Sequence, residues 1–425
     1  MNMIERGREF VQRLRELVER GEDDWRRCPH CGSRRTCKNG TYPRNPQMLH
    51  GTEHRRVQRH LCRDCGKTYS EEDPDLVPGS WYGRDVHRFA VDQWVHGGSS
   101  LRRIAEMVRS LIGHQERWWK WRPWEKFFSK KQESREPCFL VASTVHRWTA
   151  QAGKKAKEAI PGQWSEVDNS GQFGADGLWA YLQGGVKRVV LLLTDTATGM
   201  VMAMRVVEGE AKASSWEALF EQAREAGLSW EDIDGLVSDA TNGLYSFILK
   251  KLGRVHHALC HWHMWRTLSR DISKAVAEVE EKAQKRIRGE LGQLLHAILN
   301  ASSFEAAEVA LRELKAHPYG GELAKKVNRN LDRLLYHLLP GHQGLVRISP
   351  EWMWRDFRQR LSHGRNHGSE KRLEEAAQLW MVYHNFTPAQ WRSERKRIYK
   401  HPGLSPLEVA GAPPGEISYL DALEV

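Results

Sequence analysis

Three carboxylates in this chain stand where elements begin or end. Asp239 closes the apolar run Leu236-Val237-Ser238 and opens the turn Ala240-Thr241-Asn242-Gly243. Asp176 lies in Phe173-Gly174-Ala175-Asp176-Gly177, and Glu351 follows Ser349-Pro350 at a helix start. Acidic oxygens in such places can hold two Mg2+ or Mn2+ ions about 4 Å or less apart, clamping the attacking and leaving oxygens of a phosphodiester. Mg2+ keeps several waters, so three carboxylates suffice. The chemistry is DNA cutting and joining: water attack frees a 3′-hydroxyl, which then attacks a second strand. Asp176, Asp239 and Glu351 are therefore the expected catalytic residues and magnesium ligands. Each has a plainer reading. Asp168 rivals Asp176, Asp239 could cap its turn, and Asp195 reads as a turn residue. Glu351 could be a helix-start glutamate paired with Arg355 four residues on, and Glu370 is the rival third acid.

A second constellation is Cys28-Pro29-His30-Cys31 and Cys62-Arg63-Asp64-Cys65, with 30 residues between the inner cysteines. Two such pairs close a tetrahedral Zn2+ site without an open position, so Cys28, Cys31, Cys62 and Cys65 would hold structural zinc. His30 and Cys37 are rival ligands. The spacer carries turn signals at Asn39-Gly40 and Asn45-Pro46. Lys38, Arg55, Arg56 and Arg59 surround the site and could meet phosphates.

The elements that must position the acids follow from periodicity. Phe173 to Leu182, Val186 to Thr194 and Met200 to Val207 read as a meander of three strands, with Asp195 to Gly199 as a hairpin turn. Ser214 to Glu217 reads as a capping box opening a helix to Ala226. Leu236 to Ser238 is a buried fourth strand, Leu244 to Leu252 a helix, and Val255 to Leu259 a fifth strand. That order predicts a multidomain α/β chain whose core is RNase H-like: a mixed five-stranded sheet with strands one and four adjacent, bringing Asp176 to Asp239. From Met264 to about Leu339 the pattern is helical throughout, an all-α insertion before the helix that starts at Glu351.

Upstream, Asp85 to His96 and Leu101 to Val108 are short amphipathic helices split by Gly97-Gly98-Ser99-Ser100. Ser143 to Thr149 would be a recognition helix, completing a helix-turn-helix suited to a major groove. Arg102, Arg103, Ser143, Thr144, His146 and Arg147 are its expected DNA contacts. Between the second and third helices lies the tryptophan-rich stretch 111–140, read as an insertion. The expected organisation is an N-terminal helix (1–24), zinc ribbon (25–78), helix-turn-helix domain (79–160), first part of the core (161–263), helical insertion (264–345), and a last part (346–425) with the glutamate and a basic helix bearing Arg392, Arg395, Lys396, Arg397 and Lys400.

Composition agrees. Net charge is +11 over 425 residues; residues 1–150 carry 29 Lys plus Arg against 20 Asp plus Glu, so the N-terminal third holds +9 of it. A basic first third suits a phosphate-binding module. No apolar run is long enough for a membrane span, and Met1 to Arg20 lacks the apolar segment of a signal peptide. The expected location is the cytoplasm, at the nucleoid, where thiols stay reduced and bind metal.

From about Trp164 to Ala412 the chain resembles the Mutator-like (MULE) superfamily of DDE transposases and their bacterial insertion-sequence relatives. The residues that carry it are Asp176-Gly177-Leu178-Trp179, Ser238-Asp239-Ala240 with Gly243-Leu244, Cys260-x-x-His263 with Arg266, and Glu351 followed by Arg355, Arg358 and Arg360. Tyr383-His384-Asn385-Phe386 and Ser405 to Gly411 add to it. The resemblance implies metal-dependent excision and integration of a mobile element, binding of terminal inverted repeats and target DNA, and a dimer or higher oligomer. It also implies DNA contacts from Arg355 and Arg358 and an active-site-shaping role for Cys260 and His263. A second metal site built from His256, His257, Cys260 and His263, or plain packing, are the alternatives for that motif. A catalytically dead DNA-binding regulator and an RNase H-like nuclease without strand transfer are the competing functions.

Overall fold

The computed structural model describes residues 27–112, 140–159, 167–239, 241–339, 350–363, 367–388, 403–412, 418–423 and 425. The expected N-terminal helix, most of the tryptophan-rich insertion, Ser349 and the basic stretch from Arg392 to Lys400 lie outside these residues.

Between the cysteine pairs the chain is extended. Strands β1 (Thr36–Arg44), β4 (Arg55–Cys62) and β5 (Thr68–Ser70) form an antiparallel sheet, and β2 (Gln47–Met48) pairs with β3 (Gly51–Thr52). Asn39-Gly40, expected to turn the chain, instead sits inside β1. The register slips between Lys38 and Thr41 there, and Gly40 takes a φ of 74°. A bulge uses the same left-handed glycine as a turn, which is why the two read alike. Only Val57, His60 and Cys62 of β4 are buried, too little apolar surface for a self-supporting core.

Helices α1 (Arg84–Val95), α2 (Leu101–Leu111) and α3 (Ala142–Ala159) share a core of Val86, Ala90, Ile104, Ala105, Val108, Val145 and Trp148. Ser100 caps α2, accepting the Arg103 N–H. The third helix runs well past the expected Thr149, because Ala152 and Ala156 continue its apolar stripe. Those two residues belong to the core of the larger sheet.

That sheet holds β6 (Gln172–Tyr181), β7 (Lys187–Asp195), β8 (Val201–Val207), β9 (Gly235–Ser238) and β10 (His256–Leu259), in the order β10-β9-β6-β7-β8. The meander β6-β7-β8 is antiparallel, while β9 and β10 run parallel to β6. Val189 to Leu193 is buried without alternation, as expected of a strand covered on both faces. Helices α4 (Ala213–Glu225) and α5 (Asn242–Lys251) link β8, β9 and β10. The capping box expected at Ser214 is absent: α4 starts at Ala213, so Ser214 already lies in its first turn, and Glu217 instead pairs with Lys251 of α5 at 3.0 Å.

Between Met264 and Leu339 every described element is helical, as expected. Helices α6 (His261–Ala275), α7 (Glu281–Leu299), α8 (Phe304–Ala316), α9 (Gly321–Asn328) and α10 (Leu331–Leu334) surround a separate apolar core that includes Leu268, Ile272, Leu291, Leu295 and Leu314. The first of them begins inside Cys260-x-x-His263, so His263 sits in its first turn. A 3-10 turn, Pro350–Trp352, then leads into α11 (Met353–His363). Helix α12 (Glu370–Phe386) is nearly engulfed and closes the β8 edge with side-chain amides: Asn385 exchanges bonds of 2.8 and 2.9 Å with Val201, and Gln378 donates to the Met204 carbonyl at 2.6 Å. Short helices α13 (Pro406–Val409) and α14 (Tyr419–Ala422) pack on α12. No helix among the described residues is long and apolar enough to cross a membrane.

Candidate active site

The parallel pairing of β6 with β9 sets the site. Gln172 stands opposite Gly235, Phe173 opposite Leu236 and Gly174 opposite Val237. The same offset of 63 positions carries Asp176 to the level of Asp239. Adjacent strands lie about 4.8 Å apart, so side chains at one level on the same face converge. One ligand atom each from Asp176, Asp239 and His263 lie within 4.8 Å of one another. His263 Nε2 is 4.0 Å from Asp176 Oδ1.

Glu351 joins them. Its turn is pressed on β6 at Gly174, where a Cβ would stand 2.9 Å from Pro350 Cδ. The Glu351 carboxyl raises the proton affinity of Asp176 and accepts from Arg358 at 3.1 Å. Burial first, then the charges of Glu351 and Asp239, push Asp176 well above the usual carboxylate range, against the Gly177 N–H that donates to it. Burial likewise raises Asp239, opposed by His263 and the Thr241 N–H. Burial lowers His263, against the pull of Asp239 and Glu351. Acids that resist ionising side by side share protons until a cation replaces them. The donor set fits a hard divalent ion: carboxylate oxygens from two strands and a turn, with one imidazole.

The rivals fall elsewhere. Glu370 pairs with Arg188 at 2.6 Å; Arg188 stands opposite Ala180, four positions along β6 from Asp176, about 13 Å away at strand rise. Asp168 is exposed and its N–H donates to the Ala410 carbonyl. Asp195 accepts from Ser170, Ala197 and Thr198, a turn role. Cys260 is buried with Val237, Ala258 and Tyr336. Among the described residues His256, His257 and Cys260 form no ligand cluster with His263.

A fourth carboxylate went unread in the sequence. Glu210, just after β8, places Oε2 2.5 Å from where a Cβ on Gly177 would be. Burial, then the Asp239 charge, pushes it up to about 7, against the opposing influence of Trp179. Its backbone is hemmed in too: Trp216 Nε1 donates to its carbonyl at 2.8 Å, and a Cβ on Gly243 would meet that oxygen at 2.3 Å. The available signal was Gly177 itself, a strand-interior glycine beside an acid, which marks close approach of another group.

The four sulfurs of Cys28, Cys31, Cys62 and Cys65 form a cluster. Cys28–Cys65 and Cys31–Cys62 sulfur distances are 3.6 Å, close to the edge of about 3.8 Å for a tetrahedron with Zn–S of about 2.3 Å. Each pair sits on a knuckle closed by a left-handed glycine, Gly32 (φ 73°) and Gly66 (φ 69°), donating to Cys28 and Cys62 carbonyls. The set is compatible with structural zinc. Cys37 instead donates to the Leu61 carbonyl, and His30 is exposed outside the cluster.

Of the expected DNA contacts, Arg102, Arg103, Ser143, His146 and Arg147 are exposed, and Thr144 is half-buried. Arg56 and Arg355 are exposed. Arg55 is otherwise engaged: Glu53, Asp73 and Asp75 take its guanidinium at 2.6–2.9 Å, which makes it an internal tie of the ribbon. Arg358 is held by Glu351.

Residues 189–343 match the model of the Mutator family of transposases. The match contains Glu210, Asp239, Cys260 and His263, and ends short of Glu351; Asp176 precedes it. It supports a Mutator-type transposase, an enzyme class that acts on DNA with divalent metal. No curated protein matches the chain.

Proposed function

We propose that this chain, which carries a Mutator-family transposase domain at residues 189–343, is a DDE transposase that binds the terminal inverted repeats of a mobile element, cuts at the element ends and joins them to target DNA. The observation that carries this reading is the meeting of Asp176 and Asp239 at one level of two parallel strands, with His263 beside both and Glu351 against the first. The sheet order, with β7 alone running against its neighbours, supports an RNase H-like core.

Asp176, Asp239 and Glu351 would hold two Mg2+ or Mn2+ ions. Bound there, the ions supply charge for the pentacovalent phosphate and lower the pKa of the attacking water or 3′-hydroxyl. The protein's part is positioning. The sheet fixes two acids, Arg358 holds the third, and His263 places an imidazole beside both strands' acids. The ribbon and the three-helix unit would bind the ends, with Arg102, Arg103, Ser143, Thr144, His146, Arg147 and Arg56 facing DNA and Arg355 nearer the cut. Joining two ends calls for a dimer or higher oligomer.

The test is incubation of purified protein with labelled end DNA, a plasmid target and Mg2+ or Mn2+. Cleavage at the element end with joined product, abolished in Asp239→Ala and Glu351→Ala, is expected. Metal-independent binding without cutting would replace this reading with a DNA-binding regulator, and cutting without joining with a nuclease.

A further inference from the structure

Asp239 is tied to the helical insertion by a hydrogen-bond chain that neither the acids nor the DNA face uses. Arg333, on α10, places NH2 2.7 Å from His257 Nδ1. His257 Nε2 lies 2.7 Å from Ser238 Oγ, and Ser238 Oγ donates to the Asp239 carbonyl at 2.8 Å. The donor order is forced. The Asp239 carbonyl only accepts, so the one Ser238 proton goes there; Nε2 must then donate to Ser238, and Nδ1 of the neutral ring is left to accept from Arg333, whose NH2 also lies 3.3 Å from Nε2. The half-buried imidazole is neutral, down at about 3, from desolvation first and then the Arg333 charge. Both ends are anchored. The guanidinium lies over the Tyr245 ring, 4.9 Å from its centroid, and Nε donates to the His257 carbonyl. Leu334 and Leu335, beside Arg333, belong to the insertion's own core. On the far side, the Thr241 N–H donates to Asp239 Oδ1 at 3.3 Å.

We propose that Arg333, His257 and Ser238 are positioning residues for Asp239: through this one-way chain the helical insertion sets the orientation of the second acid. The inference rests on the reading of Asp239 as a catalytic metal ligand. A shift of the bundle that withdraws Arg333 would release the Asp239 peptide, so cutting is linked to where the insertion sits.

The test uses full-length Ser238→Ala, His257→Gln, Arg333→Met and Arg333→Lys, with Asp239→Asn beside wild type. Readouts are thermal melting, metal-free binding of end DNA, Mn2+ binding by calorimetry, and single-turnover cleavage across Mn2+ concentrations. Removing groups that orient a metal ligand typically weakens metal affinity or activity about 10–100-fold. Ser238→Ala and Arg333→Met should therefore need about 10-fold or more Mn2+ for half-maximal binding and cleavage, with end-DNA affinity unchanged. Arg333→Lys, which keeps a donor, should recover part of the loss. If His257→Gln fails to fold, Ser238→Ala, which removes one hydroxyl, still decides. Wild-type Mn2+ dependence in folded Ser238→Ala and Arg333→Met overturns the relay while Asp239→Asn remains dead. Mn2+ binding and cleavage that survive Asp239→Asn would instead remove the reading of Asp239 beneath it.

Discussion

Glu210→Gln tests whether the missed carboxylate belongs to the acid cluster. Burial and the Asp239 charge raise Glu210 from 4.5 to about 7. A carboxyl raised on folding favours the protonated native state. That contribution is complete below about pH 4.5 and is lost as pH rises through about 7. At about 1.4 kcal/mol per tenfold change in proton affinity, the full rise corresponds to about 3.4 kcal/mol. The side chain is only partly buried, and solvent screening discounts this to about 1–2 kcal/mol. Glutamine is neutral at every pH and of nearly the same size and shape. The variant's advantage over wild type should be small at pH 5, vanish below about pH 4, and reach about 1–2 kcal/mol at pH 8. That is about 2–8 °C in Tm for a domain of this size. The assay is thermal melting at pH 5, 6, 7 and 8 without Mg2+ or Mn2+, leaving zinc in place. A difference independent of pH, or a variant less stable than wild type at pH 8, would refute the argument.

Asp176→Asn should lower single-turnover cleavage by about 10^3-fold or more, the loss of several kcal/mol of metal-borne stabilisation, with metal-free binding of end DNA intact by gel shift. Zinc content by mass spectrometry should be one ion per chain and fall in Cys31→Ser, with loss of ribbon structure but not of sheet melting, because the ribbon contributes no residue to the sheet's apolar core. Gly153→Ala should cost about 1–3 kcal/mol in urea unfolding, since its Cβ would stand 2.4 Å from the Glu375 carbonyl oxygen. Gly289→Ala, in α7 with nothing within 4 Å, should gain about 0.5–1 kcal/mol and serves as its control.

The elements were legible where periodicity was strong. All five strands of the main sheet and the helical run after Met264 follow their apolar patterns, and Asp239 was marked by the strand that ends on it. What a linear pattern omits is register. The chain favours Glu351 over Glu370 without placing either; the Pro350 turn pressed on Gly174 and the pairing of Glu370 with Arg188 support that choice. Glu210 follows β8, two strands away from β6, so nothing local tied it to Asp176. Ser214 and Glu217 had the spacing of a cap, but the helix began earlier. Arg55 looked like a phosphate contact because the acids that hold it, Asp73 and Asp75, come later in the chain.

Helix α3 has a consequence of its own. Its first half, with Val145 and Trp148, is bolted into the three-helix core, and its second half, with Ala152 and Ala156, into the sheet core. One rigid shaft of 18 residues, about 27 Å long, thus joins the exposed His146–Arg147 face to the body that carries the acids. Angles along such a shaft are counted in residues. One residue inserted between Thr149 and Ala152 would swing that face by about 100° and advance it about 1.5 Å. Seven would bring it back within about 20°, but about 10 Å further out. The distance along DNA between the bases gripped and the bond cut would then be written in the phase of a single helix.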